Sequence, residues 1–317
     1  MTARRSIRST TAVLLLAGTA AIGGGVAGGL AAEGDQPRCF GAAARAKPPC
    51  HNPRLRTMVT PTPAQAVAAS NAPCTIIRTG RPLICRFGVE TGEVEDTFAL
   101  IGDSHATHWR GALQVVAERK RWRGLSMARL GCPLSTMVKA LGEPIETLCR
   151  RWRRALYRWF EAHPEVSTVV VSQLAGFAEV HGGGDQFERQ VRGFMAAWDK
   201  LPPSVKRIVV IRDNPRVLTS TRRCVERAMA RRQAAGTKCS VPKRQVMIPD
   251  PAAVAAERTE SERVHLIDMT RWFCGSRRCY PVIGGALTHK DTTHQTTVFN
   301  KTLGPYLKRE FDRLGRG

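Results

Sequence analysis

The residues whose types and spacing favour chemistry lie far apart in this 317-residue chain. Ser104 stands in the motif G-D-S-H at residues 102–105, and Asp291 precedes His294 by three positions. A serine hydroxyl becomes a nucleophile when an imidazole takes its proton, and a carboxylate must orient that imidazole. A D-x-x-H pair in one loop places the carboxylate beside the ring. The three residues therefore indicate a Ser-His-Asp set for acyl transfer.

The element that must position Ser104 is a strand followed by a helix. An apolar run at residues 98–101 ends at the G-D-S-H motif, and apolar residues at helical spacing follow (Trp109, Leu113, Val116). Ser104 then lies at the carboxyl end of a strand and the amino end of a helix, where α/β sheets bind ligands and the helix dipole favours an oxyanion. The competing interpretation is a capping residue that begins a surface helix.

Strand and helix patterns alternate through the rest of the chain. The predicted strands are 97–101, 124–128, 168–172, 207–211 and 264–267. The predicted helices cover 105–120 and 145–162, open at Asp185 and at Asp250, and end with 296–313. This alternation predicts an α/β protein, a three-layer α/β/α sandwich with a parallel sheet.

Three regions divide the chain. Residues 1–32 begin with arginines and continue as a Gly/Ala-rich apolar run, which predicts a secretory signal peptide. An uncleaved N-terminal anchor is the competing interpretation, because the run is about long enough to span a bilayer. Residues 33–95 are rich in proline and cysteine and predict a loop-like extension, and residues 96–317 hold the predicted α/β domain.

The 10 cysteines fall into pairs of near neighbours. These pairs are Cys39/Cys50, Cys74/Cys85, Cys132/Cys149, Cys224/Cys239 and Cys274/Cys279. With an export signal, they predict disulfides that staple the loops. A zinc site is the alternative, but the chain has no pair of matching Cys-x2-Cys halves, and we expect no metal.

The net charge of +23 indicates an acidic partner. An acidic polymer, a membrane surface and nucleic acid all fit such a charge. Export and disulfides argue against nucleic acid, and no helix-turn-helix, RRM or zinc-finger signature is present. We therefore expect no nucleic-acid partner, and we expect a cell-envelope polymer to attract the protein.

Several motifs together resemble one family. G-D-S-H-A at 102–106 and D-x-x-H at 291–294 are similar to the first and last blocks of the SGNH (GDSL-type) hydrolases. Gly131-Cys132-Pro133, D-x-P at 213–215 and the cysteine-rich loop before D-x-x-H resemble one subgroup more closely. That subgroup is the extracytoplasmic SGNH domain fused to bacterial membrane acyltransferases that O-acetylate polysaccharides. The resemblance covers about residues 96–313.

The resemblance implies a role for each site residue. Ser104 would be the nucleophile, His294 the base and Asp291 the orienting group. The oxyanion hole would use the backbone N–H of Ser104, the second-block Gly131 and a third-block asparagine. The third block, after strand 168–172, contains no asparagine, so Gln173 is the candidate donor in its place.

Other polar residues near the motifs have supporting interpretations. Asp103 and His105 flank Ser104 and are expected to support the triad from beside it. His108 is expected to pack in the same helix. His289 is a weaker candidate for the base than His294. Asp213, which precedes a proline by two positions, is expected to form a turn.

These observations predict an exported serine esterase or O-acyltransferase that acts on acyl esters, chiefly acetyl, of a cell-envelope glycan, without a cofactor. The sequence contains no segment like the family's fused membrane domain, so a separate membrane protein would donate the acyl group, or the protein would be a simple esterase. The alternative is a non-catalytic module that binds an acidic or acylated polysaccharide. The expected location is extracytoplasmic, secreted or bound peripherally to the membrane or wall.

Overall fold

A computed structural model of the chain describes residues 36–176 and 179–315. Its strands are β1 (Thr75–Arg78), β2 (Ile84–Gly88), β3 (Asp96–Gly102), β4 (Trp122–Ser126), β5 (Thr168–Ser172), β6 (Arg207–Ile211), β7 (Val241–Pro242), β8 (Val264–Ile267), β9 (Arg278–Cys279), β10 (Val282–Ile283) and β11 (Ala286–Leu287). Its α-helices are α1 (Pro63–Ala68), α2 (Ser104–Lys120), α3 (Ile145–Ala162), α4 (Gln186–Asp199), α5 (Thr221–Ala230), α6 (Ala235–Lys238), α7 (Lys243–Val246), α8 (Pro251–Arg258) and α9 (Thr297–Leu314).

The export segment expected over residues 1–32 lies outside the described residues. The described residues from Pro37 onward form one compact unit. Within the described ranges, no helix has the length and apolar character needed to cross a bilayer.

The main sheet has seven strands in the order β1-β2-β4-β3-β5-β6-β8. The five strands β4, β3, β5, β6 and β8 run parallel, as predicted. The other two, β1 and β2, extend the sheet antiparallel beyond β4 and lie in the region expected to be loop-like. Both are short, and β2 joins the main sheet through its pairing with β4, which is remote in sequence, so no local pattern predicts this extension of the sheet.

Helices cover both faces of this sheet, which confirms the α/β/α sandwich. Alternate residues of β3 face opposite sides, as the pleat requires. Phe98 and Leu100 pack in the core with α2 and α9, whereas Ala99 and Ile101 pack with α3, α4 and α8. All four side chains are buried.

The contact between α2 and α9 is close. A Cβ added at Gly304 of α9 would lie 2.4 Å from the Cβ of Val115, so only glycine permits this approach. In the same contact, the backbone N–H of Ala112 donates to Asn300 Oδ1 at 2.5 Å. Since α2 begins at Ser104 and α9 begins three residues after His294, this contact joins the two parts of the candidate site.

All five predicted disulfides are present in the structure. They are Cys39–Cys50, Cys74–Cys85, Cys132–Cys149, Cys224–Cys239 and Cys274–Cys279. The third joins the loop after β4 to α3, and the fourth closes the polar stretch that carries α5 and α6. The first, fourth and fifth bridges each close a short local segment, and the second joins Cys74, which precedes β1, to Cys85 of β2 at the edge of the sheet.

The bridge Cys39–Cys50 lies in the segment expected to be a loop-like extension. Cys39 is buried, whereas Cys50 is only partly buried and packs at the margin of the core that α2 and α9 share. A short 3-10 helix, Gly41–Arg45, lies between the two cysteines, and the backbone N–H of Ala42 donates to Thr302 Oγ1 of α9 at 2.9 Å. This part of the extension is therefore docked on the domain, through contacts with residues remote in sequence that leave no local pattern.

Candidate active site

Ser104 lies where β3 turns into α2. Gly102 has φ +144°, and a Cβ there would lie 1.8 Å from the carbonyl oxygen of Ser172, so the turn needs glycine. Asp103 caps the helix, because its carboxylate accepts the backbone N–H of His105 at 2.9 Å. Ser104 is thus the first residue of α2, with its side chain at the carboxyl edge of the parallel strands.

The structure brings the three predicted triad residues together. The Oγ of Ser104 lies 2.8 Å from Nε2 of His294, although the two residues are 190 positions apart. Nδ1 of His294 lies 2.9 Å from Oδ2 of Asp291. This order of contacts, hydroxyl to imidazole to carboxylate, is the arrangement that activates a serine nucleophile.

The carboxylate of Asp291 is held in its ionised form. Partial burial acts to raise its pKa, but three hydrogen bonds outweigh that effect and keep the pKa well below the usual range. The donors are the His294 side chain and the backbone N–H groups of His294 and Thr293, at 2.7–2.9 Å. A permanently charged carboxylate orients the imidazole and stabilises its protonated form.

A chain of buried amides holds the loop that carries His294. Asn300 Nδ2 donates to Gln295 Oε1 at 2.8 Å, and Gln295 Nε2 donates to Asn214 Oδ1 at 3.1 Å. Asn214 Nδ2 then donates to the carbonyl of Thr293 at 2.9 Å. No sequence motif identifies these three amides as a set, because nothing local links them.

His289, the weaker candidate base, is turned away from Ser104. Its Nε2 lies 2.8 Å from the carbonyl oxygen of Pro215, and its Nδ1 lies 2.8 Å from Oγ1 of Thr288. Burial lowers the pKa of His289 to about 4. The ring is therefore a neutral, buried support for the loop.

Asp213 has a larger part than the turn expected for it. Its side chain is buried and lies 2.5 Å from Nδ1 of His105. Burial acts to lower the pKa of His105, but the charge and hydrogen bond of Asp213 outweigh it and raise that pKa. The ring centroids of His105 and His294 are 4.8 Å apart, so this ion pair lies directly behind the candidate base.

The loop after β5 is held by side chains from four directions. Asp103 accepts the backbone N–H of Leu174 at 3.1 Å, and Lys139 Nζ donates to the carbonyl of the same residue at 3.2 Å. Asp213 accepts the N–H of Ala175 at 2.9 Å, and Arg216 donates to its carbonyl at 2.5 Å. This is the third-block loop, so its backbone is fixed beside the site.

Three groups are available as candidate oxyanion donors. Within the described residues, the backbone N–H groups of Ser104 and Gly131 donate to no protein acceptor. Gly131 follows β4 in a turn with φ +70°. Gln173 is 2% exposed, and both atoms of its side-chain amide lack a partner. By contrast, the structure uses Asn214 to hold the loop of His294, so its amide is not free for this role.

The described residues contain no group of side chains that could bind a metal ion. No three His, Cys, Asp or Glu side chains converge as a metal site requires within residues 36–176 and 179–315. The cysteines in these ranges are all in disulfides. Cys50, for example, lines a separate concave surface with Cys39 and Tyr280, and no triad residue lines that surface. We therefore assign Cys50 a structural role.

Comparison with known proteins identifies the family. The family described as the SGNH domain (fused to AT3 domains) matches residues 71–309. The chain belongs to this family. No curated protein matches the sequence.

Solved structures share the fold at low sequence identity. The periplasmic domain of a lipopolysaccharide acetyltransferase from Salmonella ser. Paratyphi A superimposes with a TM-score of 0.51 at 13% identity, over 75% of this chain and 86% of that one. A carbohydrate esterase family 2 enzyme from Corynascus thermopiles (Myceliophthora fergusii) gives a TM-score of 0.42 at 12% identity, over 72% and 69% of the two chains. The first likeness shows a common fold, and we draw nothing from the second.

Proposed function

We propose that this protein is a serine esterase or O-acyltransferase that acts on acyl esters of a cell-envelope glycan. The observation that carries the proposal is the continuous contact from Ser104 Oγ through His294 to Asp291, at 2.8 and 2.9 Å. Family membership supports it, because SGNH hydrolases as a class act on esters. Hydrolysis and transfer share their first half and differ only in the acceptor.

The first half forms an acyl-enzyme. Ser104 Oγ attacks the ester carbonyl carbon while Nε2 of His294 takes the hydroxyl proton. Asp291, already ionised, stabilises the imidazolium that results. The tetrahedral intermediate then collapses: the bond to the sugar oxygen breaks, and His294 returns the proton to that oxygen. The products are the free sugar hydroxyl and an ester on Ser104.

The second half removes the acyl group from Ser104. A water molecule or a second hydroxyl gives its proton to His294 and attacks the acyl carbon. The second tetrahedral intermediate collapses, and Ser104 Oγ leaves with the proton from His294. Water yields the free acid, and a sugar hydroxyl yields a transferred ester.

The negative charge of both intermediates needs fixed donors. In this proposal the backbone N–H groups of Ser104 and Gly131 supply two, and Nε2 of Gln173 supplies the third. Losing one such donor typically costs about 10²–10³ in rate. The buried, unpartnered amide of Gln173 supports its assignment, because a buried polar group without a partner is rare unless a ligand completes it.

An extracytoplasmic location fits the five disulfides, which persist in oxidising compartments. It also agrees with the periplasmic origin of the Salmonella domain. The glycan substrate is proposed from that acetyltransferase and from the positive charge of the chain. Residues 1–32 would serve as the export signal or anchor, residues 33–95 as an extension and 96–317 as the catalytic domain. A membrane protein would supply the acyl group if the reaction is transfer.

Hydrolysis of p-nitrophenyl acetate tests the proposal. Ser104→Ala and His294→Ala should each lower kcat by about 10⁴-fold or more, and the double variant should lose no more than either alone. Asp291→Asn should lose less, because its role is to orient the ring. Exposed residues provide matched controls, Ser70→Ala and His51→Ala, which should keep full activity. A serine-reactive phosphonate should label Ser104 alone.

A second candidate function is a glycan-binding module on the same fold. The observation that favours it is the third block, where Gln173 stands in place of the family's asparagine. A folded wild-type protein that neither hydrolyses the ester nor takes the phosphonate label, yet binds glycan, would establish this function and exclude the enzyme.

A further inference from the structure

A second concave site lies at the same edge of the sheet as Ser104. We call it the basic groove; it has a volume of about 690 Å³, and Arg45, Lys47, Lys243 and Arg271 line it. Arg212, directly after β6, forms part of its wall. Since the strands run parallel, the residue after β6 lies at the same edge as the residues after β3, where α/β folds place their ligands.

Arg212 forms ion pairs with Glu257 at 2.6 Å and with Asp268 at 2.9 Å. Within the described chain, the other four cations of the groove are not neutralised by carboxylates in this way. Among the described residues, Lys47, Lys243 and Arg271 form no ion pair. The groove therefore presents a concentrated positive charge in a concave surface, which focuses the field on an anion.

Arg45 is the most constrained of these cations. Its Nε donates to the carbonyl of Arg271 at 2.8 Å, and an Nη donates to the carbonyl of Cys274 at 2.5 Å. The side chain of Arg45 is partly buried, and none of the ion pairs of the described residues involves it. Burial is the main cause that lowers its pKa, and the charge of Arg271 lowers it further. The opposite charge of a bound anion would offset both effects.

The wall of the groove also contains a buried hydroxyl. Thr270 lines the groove and is 8% exposed, and its Oγ1 is buried without a hydrogen-bond partner. A buried hydroxyl without a partner costs free energy unless a ligand or water completes it. Thr270 therefore places a polar side chain in the wall of the groove, beside the cations that would meet an anion.

We propose that the basic groove binds the anionic groups of a linear glycan, phosphate or carboxylate, and so holds the polymer that carries the ester. The inference rests on the proposed function for the identity of the polymer as substrate. Chain continuity places the two sites side by side, because Arg212 lines the groove and the next residue, Asp213, contacts His105 beneath the triad. Anion binding at the groove is separable from turnover at Ser104.

A convex surface of equal charge provides the control. Arg151, Arg154 and Arg158 form an exposed row on α3, and none has an ion pair among the described residues. None of the three lines the basic groove. A triple substitution to glutamine there removes the same charge as Lys47→Gln/Lys243→Gln/Arg271→Gln in the groove.

Binding of each triple variant to three polymers tests the proposal. The probes are poly(glycerol phosphate), polygalacturonate and neutral dextran, at one fixed salt concentration. The groove triple should bind at least one anionic polymer about tenfold more weakly, as expected for three partly exposed charge contacts. The α3 triple should stay within about twofold of wild type. A loss confined to one polymer identifies the anion.

Equal weakening by both triples, or none by the groove triple, would overturn the proposal. Both triples should keep wild-type turnover of p-nitrophenyl acetate, because neither touches the triad. If wild type binds polymer through the groove but hydrolyses no ester, the groove stands and the catalytic proposal fails. All six positions are on the surface or in partly exposed loops, and a thermal unfolding scan checks that each variant folds.

Discussion

At the scale of single residues, two histidines in ring contact have different surroundings. His294 has its two nitrogens on Ser104 and Asp291, so its proton can move. His105 is fully buried against Asp213. Asp213 also binds the third-block loop at Ala175. His105 thus holds the carboxylate that holds the loop, which makes it a positioning residue.

We predict that His105→Ala lowers kcat for p-nitrophenyl acetate by about 10- to 100-fold, the scale of loss that a small misplacement produces. The substitution leaves a buried carboxylate short of its partner, so stability should also fall. Labelling of Ser104 by the phosphonate should persist, because Ser104 and His294 still meet. His51→Ala is the control. Complete loss of labelling would instead assign His105 to the chemistry itself.

At the scale of elements, the site depends on one helix contact. Ser104 is the first residue of α2, and His294 lies three residues before the start of α9, so the contact between α2 and α9 links the two. Gly304 permits the crossing, and Asn300 links it by hydrogen bonds to Ala112 and Gln295. The geometry of the triad is therefore set by how closely two helices approach.

We predict that Gly304→Ala destabilises the protein by about 1–3 kcal/mol, the usual cost of overpacking. Alanine favours a helix by about 1 kcal/mol over glycine, but the new methyl would lie 2.4 Å from the Val115 Cβ, which is fixed to its backbone. The helices must separate, so ester hydrolysis should fall as well. Chemical denaturation and turnover measure the two effects.

Gly315→Ala is the matched control for this prediction. It lies at the end of the same helix, and its nearest neighbours would be 3.8 Å from an added Cβ, an ordinary contact. Its stability and activity should equal or exceed those of wild type. If both glycine variants behave alike, helix propensity and not the crossing determines the result.

At the scale of the whole molecule, two of the buried titratable groups have opposite effects on stability in acid. His289 has its pKa lowered to about 4 by burial, so the unfolded chain takes up its proton first as the pH falls from about 6.5. Asp250 has its pKa raised to about 6, chiefly by burial and then by the charge of Asp213. At Asp250 the folded chain therefore takes up the proton before the unfolded chain does. The first group destabilises the fold on acidification and the second stabilises it.

Each group contributes about 3 kcal/mol between pH 6.5 and 4, so their effects nearly cancel. We predict that His289→Gln gains stability relative to wild type as the pH falls through this window, because the destabilising contribution of His289 is then removed. Asp250→Asn should lose stability relative to wild type over the same range. Urea unfolding at several pH values measures both slopes. Parallel pH profiles for all three proteins would contradict the assignment.

The sequence by itself determined the alternation of strands and helices, the helix over 145–162, three of the strands to the residue and all five disulfides. These features are local: burial periodicity, capping residues and short cysteine spacings lie within one element or one loop. The motifs around Ser104 and His294 also identified the family, because each is contiguous in the chain.

Only the tertiary structure decided what depends on contacts between distant residues. It added β2 to the sheet through β4, joined His105 to Asp213 across 108 positions, and placed Asn214, Gln295 and Asn300 in one chain of amides. It also gathered the basic groove from four separate segments. The physical reason is the same in each case: a hydrogen bond or a shared cavity between remote segments leaves no periodic mark in either segment, so it exists only once the chain has folded.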